Sequence, residues 1–307
     1  MKVSFHSIDK LVTAFTVFIT TLLTSFASQA QQPVDWQMGL QNAVTPIMER
    51  IVWLNWFTLV IITLITLFVL ALLVIVFVRY NATANPVPSK TSHNTTIEII
   101  WTVVPIIILL VIVAPSIRLL YAQMEVPEPD VTVKVIGYQW YWGYEYPDYD
   151  VEEFTSIMLR DDDPEAELQL RQDKALERGE DISNYPRLLA VDNEMVVPVG
   201  KVVRLDITSG DVLHAVAMPS FGVKMDAVPG RLNTTWFKAE KEGLYYGQCS
   251  QICGSDHAFM PLAIRVVDED TFEDWAASAS EDLDIGYEIL AADIRKDRED
   301  KIKLANK

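Results

Sequence analysis

The two cysteines of this 307-residue chain share one short run, Cys249-Ser250-Gln251-Ile252-Cys253-Gly254-Ser255-Asp256-His257-Ala258-Phe259-Met260. Of the four histidines, His6 and His93 belong to the N-terminal third, and His214 and His257 to the remainder. Two thiolates, two imidazoles and a thioether form a soft donor set that suits copper. A mononuclear blue copper needs one cysteine. A second thiolate lets both sulfurs bridge two copper ions, so that one electron is shared with little geometric change, the property an electron carrier requires. Two other readings compete. A disulfide is the default for two cysteines in an oxidising compartment, and zinc also takes Cys and His, although Met is a poor zinc ligand. The Cys-x-x-Cys-His run of covalent haem attachment is absent from the sequence.

These residues need an exported, anchored frame, and the N-terminal third provides its signals. Lys2 and Lys10 precede an apolar stretch from Leu11 to Phe26 and then Ala27-Ser28-Gln29-Ala30, which predicts a signal peptide over residues 1–30, with an uncleaved third membrane helix as the alternative. An exported segment over 31–50 follows. Apolar runs from Ile51 to Val78 and from Ile97 to Leu120 are each long enough to cross a bilayer, which needs about 20 helical residues. The loop between them carries Arg79 and Lys90 and no acid, as a cytoplasmic loop should. Residues 51–121 therefore read as a transmembrane hairpin, with everything after Tyr121 outside the cytoplasm.

The net charge of −17 is concentrated in that outer part. Four of 42 acids and six of 25 bases precede residue 122, leaving 38 acids and 19 bases, a balance of −19, after it. Such a field argues against nucleic acid and favours a basic soluble partner. From Val131 the pattern alternates, and short runs at 201–207, 213–218, 234–239, 244–247 and 262–267 are separated by Gly, Pro, Asp and Ser, which predicts an antiparallel sandwich or barrel over 122–278. Residues 161–181 read as a solvated insertion, 271–278 as a capped helix, and 279–307 as a charged tail, helical or frayed. Trp140, Tyr141, Trp142 and Tyr144 are too dense for one strand face, so some should be exposed or meet a partner.

The segment from Gly247 through Pro261 resembles the copper loop of subunit II of haem-copper cytochrome c oxidases. Asp211-Val212-Leu213-His214 and Lys224-Met225-Asp226-Ala227-Val228-Pro229-Gly230-Arg231 resemble the same family's upstream segments. The resemblance runs from the first span to about Trp275. It implies a two-helix membrane hairpin followed by a cupredoxin-like Greek-key β-barrel, in the bacterial plasma membrane with the copper domain on the periplasmic side. It also implies an activity: electrons come from cytochrome c to a binuclear copper centre (CuA) and pass to haem in subunit I, where oxygen is reduced to water and protons are pumped.

By that likeness Cys249 and Cys253 bridge the coppers, His214 and Met260 complete one, and His257 with the backbone carbonyl of Gln251 completes the other. Trp140 receives the electrons, Glu98 marks the mouth of a proton pathway, and Glu145, Asp148, Asp192 and Asp211 face cytochrome c. The lipid bilayer, subunit I and other oxidase subunits are the remaining partners implied. Two positions depart from the family. Tyr138 stands where most members have His. Gln251 stands where the usual Glu helps hold a magnesium or manganese ion at the junction with subunit I, and a neutral amide should weaken that ion.

Overall fold

A computed structural model describes residues 32–305; the signal-peptide segment expected over 1–30 lies outside them. Helix α1, Pro46–Arg79, starts where the sequence supplies a cap: Thr45 Oγ1 accepts from Met48 N at 3.0 Å, with Pro46 in the first turn. Helix α2, Thr95–Met124, is capped by Asn94 and continues through Pro105 and Pro115. The apolar windows of both helices are wholly unburied within the chain. At about 1.5 Å per residue the helices are long enough to cross a bilayer.

The rest is built on ten strands: β1 Val131–Tyr138, β2 Tyr141–Tyr146, β3 Val151–Ser156, β4 Met195–Pro198, β5 Val202–Ser209, β6 His214–Met218, β7 Val223–Ala227, β8 Asn233–Lys238, β9 Gly243–Cys249 and β10 Pro261–Val267. They form two five-stranded sheets, ordered β3-β2-β1-β5-β8 and β4-β10-β9-β6-β7. Alternation in the sequence fixes the inner faces. Val131, Val133 and Val135 of β1 join Leu205, Ile207, Val216, Leu262 and Ile264 in one core, while Thr132 and Lys134 face outward. The aromatic run obeys the same rule: Trp142, Tyr144 and Tyr146 are fully buried, and Trp140 and Tyr141, at the hairpin turn, are half-buried.

The expected closed antiparallel Greek-key barrel is corrected in two respects. β1 pairs with β5, and β4 with β10, in parallel. No named strand of one sheet pairs with a named strand of the other among the described residues, so the body is curled and partly open.

The insertion and the tail are also more integrated than their composition suggests. Helix α3, Pro164–Arg178, is capped by Asp163 and ended by Gly179 at φ +73°, and it buries Glu167 and Arg178. After helix α4, Glu269–Ala279, the segment read as a charged tail forms helix α5, Leu283–Ala305, which buries Tyr287, Leu290 and Ala291. Those three recur at helical spacing, so one face is core and the charges take the other.

The segment before α1 is fastened to the β-domain. Val44 N donates to Ser220 O at 3.1 Å, Val44 O accepts from Glu240 N at 2.9 Å, and buried Thr45 donates to Phe221 O at 2.7 Å.

Candidate metal centre

The donors converge from two connections at one end of the sheets. His214 opens β6, Cys249 closes β9, and Cys253, His257 and Met260 follow on the loop into β10. Donor atoms of His214, Cys249 and Cys253 lie within 4.8 Å of one another, all three side chains being buried. The sulfurs are 4.0 Å apart. His214 Nδ1 is 3.9 Å from Cys249 Sγ, His257 Nδ1 is 3.5 Å from Cys253 Sγ, and the Gln251 carbonyl is 3.4 Å from Cys249 Sγ. Met260 is buried in the same core cluster as both cysteines, and its carbonyl accepts from Cys249 N at 3.0 Å. The Gln251 side chain is exposed.

The surroundings orient these donors. His214 Nε2 lies 2.9 Å from Asp211 Oδ1, which leaves Nδ1 on the sulfur side. A β-carbon on Gly137 would sit 2.8 Å from the His214 ring, so β1 can lie against the imidazole only with glycine there. Burial works against charge on Cys249, but hydrogen bonding to His214 and the Ala215 backbone prevails and the thiol falls to about 6. Burial and then the neighbouring Cys249 sulfur push Cys253 up to about 12. Burial opposes protonation of His214, yet contacts with Cys249 and Asp211 raise it. Two imidazole nitrogens aimed at two sulfurs, with a carbonyl alongside, fit a soft thiophilic metal such as copper.

Trp140 lies on this loop: a β-carbon on Gly254 would come 2.9 Å from Trp140 Cζ2. The four acids named for docking are not equivalent. Asp211 accepts from Gln139 N at 2.7 Å as well as facing His214, so it is part of the centre's frame. Glu145 pairs with Lys134 at 2.6 Å, and Asp148 accepts from Thr132 N at 2.7 Å. Asp192 accepts from Ile157 N at 2.7 Å and is raised by its burial. Glu98 stands in the first turn of α2, at the end of that helix remote from the β-domain.

Three contributors carry no local sequence signal. Gln139 donates to the Cys253 carbonyl, Gln248 Nε2 donates to Ala258 O, both at 2.7 Å, and Arg160 lies 3.5 Å from Asp256 and over the Phe259 ring at 4.2 Å.

Known proteins share this arrangement of sequence. A family described as the periplasmic domain of cytochrome c oxidase subunit II matches residues 131–267, and its transmembrane-domain counterpart matches residues 33–119. A probable cytochrome c oxidase subunit 2 of Rickettsia bellii is 48% identical over 257 residues, covering 84% of this chain and 89% of that protein. Cytochrome c oxidase subunit 2 of Cereibacter sphaeroides is 44% identical over 274 residues, covering 84% and 88%. The crystal structure of the periplasmic domain of subunit II of cytochrome oxidase from Bradyrhizobium japonicum is 52% identical, covers 52% of this chain and 99% of that one, and superposes with a TM-score of 0.44. With both parts of the sequence matched and relatives aligned along most of its length, the chain belongs to the cytochrome c oxidase subunit II family.

Proposed function

We propose that this chain is the electron-accepting subunit of a haem-copper oxidase in the bacterial plasma membrane, with its β-domain in the periplasm. It takes electrons from cytochrome c and hands them to haem in subunit I, where oxygen is reduced to water and protons are pumped. The observation that supports this best is the convergence, at one end of the sheets of a family member, of two buried thiols and two imidazoles whose Nδ1 atoms face them. Cys249, Cys253, His214, Met260, His257 and the Gln251 carbonyl would together hold two copper ions. When bound, the copper pair supplies a one-electron relay with little reorganisation. The residues do the rest. Asp211 holds the His214 tautomer, the β-domain core excludes water from the sulfurs, and Trp140 covers the loop as the point where electrons come in.

Electron paramagnetic resonance on the purified oxidase tests the reading, because only a shared mixed-valence pair shows hyperfine coupling to two equivalent copper nuclei. One copper per chain, or a persistent Cys249–Cys253 disulfide in copper-replete protein, would sink it. Trp140→Phe should slow reduction by cytochrome c with an unchanged copper spectrum. Turnover with a basic cytochrome c should fall as salt rises, in line with the −19 balance. Glu98→Ala should impair steady-state turnover and leave copper reduction intact. At Gln251 the exposed amide holds the subunit-junction ion weakly, so Gln251→Glu should gain manganese with the copper spectrum unchanged.

A further inference from the structure

One residue that ligates nothing ties Trp140 to both ligand connections. Gln139 lies in the turn between β1 and β2 and is exposed, a setting in which glutamine ordinarily rotates freely. Here it is held at both ends. Its backbone N–H donates to Asp211 Oδ2 at 2.7 Å, and Asp211 Oδ1 is 2.9 Å from His214 Nε2. Its side-chain Nε2 donates to the Cys253 carbonyl at 2.7 Å, and lies 3.0 Å from where a β-carbon on Gly254 would be. Three hydrogen bonds thus run His214–Asp211–Gln139–Cys253. They join the candidate ligand that opens β6 to one that follows β9 through a third element that also carries Trp140.

The hairpin does not need this arrangement. Its register closes at Tyr138 opposite Tyr141, and the Gln139 partners lie outside it, 72 and 114 residues away. The chemistry is also narrow. A carbonyl needs a donor, so glutamate would repel it; asparagine is one methylene short; lysine would add charge beside the sulfurs.

Building on the proposed electron-accepting role, we propose that Gln139 is a positioning residue: it holds Cys253 and His214 in fixed relation and sets Trp140 against the ligand loop, so that both the copper pair's electronic structure and the limiting rate of electron acceptance depend on it. Small displacements matter because donor–acceptor coupling is steep in distance, and losing a ligand-orienting contact costs roughly 10–100-fold in metal-site function.

The test uses the assembled oxidase carrying Gln139→Ala or Gln139→Met, the second keeping bulk and length without the donor. Copper content, copper hyperfine splitting, cytochrome c affinity and the rate of copper reduction at saturating cytochrome c are measured on each. Wild-type copper content and two-nucleus hyperfine pattern are the prerequisite; if the unsubstituted enzyme lacks them, the proposed function fails before Gln139 is tested. We expect both variants to show a shifted hyperfine splitting and a limiting rate lowered roughly tenfold at unchanged affinity. Copper loss in both, with an unchanged circular dichroism spectrum, supports the same role. A methionine variant with wild-type rate and splitting would assign the effect to packing and overturn the proposal. So would a slowed rate removed at saturating cytochrome c, which would make Gln139 a docking contact.

Discussion

Two buried polar clusters hang from one strand, and they are built on opposite principles. β10 leaves the ligand loop at Met260 and reaches the second cluster at Arg265. There Arg265 makes a two-pronged bridge to Glu180 at 3.1 and 2.7 Å and a third contact to Glu194 at 3.1 Å. Arg178 lies 3.7 Å from Glu194 and 3.9 Å over the Tyr287 ring. Two cations meet two anions, and the cluster fastens α3 and α5 to the sheet. The sulfur cluster has no such balance. Cys249 and His214 favour charge on one another while a second negative charge at Cys253 is opposed, so the thiols are not matched one for one by cations as the carboxylates of the other cluster are. The difference is diagnostic. The arginine–glutamate cluster neutralises itself and acts as a fastener, whereas the sulfur cluster aims soft donors at one another and has the make-up of a metal site.

The comparison breaks most visibly at the sulfurs. Cys253→Ser should abolish copper binding and bring oxygen consumption to background, measured by metal analysis and turnover, while the fold loses about 1 kcal/mol or less. If the fold collapsed instead, the sulfur cluster would be a fastener too. The reverse holds at the other end. Arg265→Ala strips Glu180 of its two-pronged cation and leaves Glu194 with Arg178 alone, and should cost about 3–5 kcal/mol, a midpoint drop of about 10 °C for a domain of this size. Copper stoichiometry in the folded fraction should not change.

A smaller effect follows from proton linkage. Burial alone would raise Glu194, but Arg265 and Arg178 override it and hold the carboxyl below its ordinary value. A carboxyl depressed in the folded state stabilises above its unfolded value, and that contribution is lost as pH falls through the folded value. Arg265→Met should therefore move acid unfolding, followed by circular dichroism, to higher pH. The smallest effect sharpens the contrast between buried and exposed positions of the same helix. Leu176 is 77% exposed on α3, and Leu176→Ser should shift stability by less than about 0.5 kcal/mol in chemical denaturation.

The sequence discloses what is local. Both long apolar helices were legible as apolar runs, with starts a few residues earlier than the runs themselves because Thr45 and Asn94 cap upstream of them. Strand β1 showed alternation, and β5, β6, β8, β9 and β10 showed as short runs bounded by turn residues, whereas β4 has only four residues and β3 and β7 carry charges. The parallel pairings were hidden because register with a distant strand leaves no mark on either. At the centre, cysteine, histidine and methionine advertise themselves by type and spacing. Asp211 looked like a surface acid and Gln139 like nothing at all, since their partners come from elsewhere in the fold. Tyr287 and Leu290 were concealed by the charges around them, although their spacing gave the buried face.

The bonds from Val44 and Thr45 to Ser220, Phe221 and Glu240 bear on how the protein can be finished. Thr45 waits 176 residues for its Phe221 acceptor, roughly ten to thirty seconds of synthesis. In the proposed topology both spans lie between them in the chain, so insertion must precede the last seam of the β-domain. Once closed, that seam gives the domain a second mooring beside α2. The β-domain is thereby tied to the start of α1 as well as to the end of α2, so both ends of the helical pair are joined to the body that carries the ligand loop.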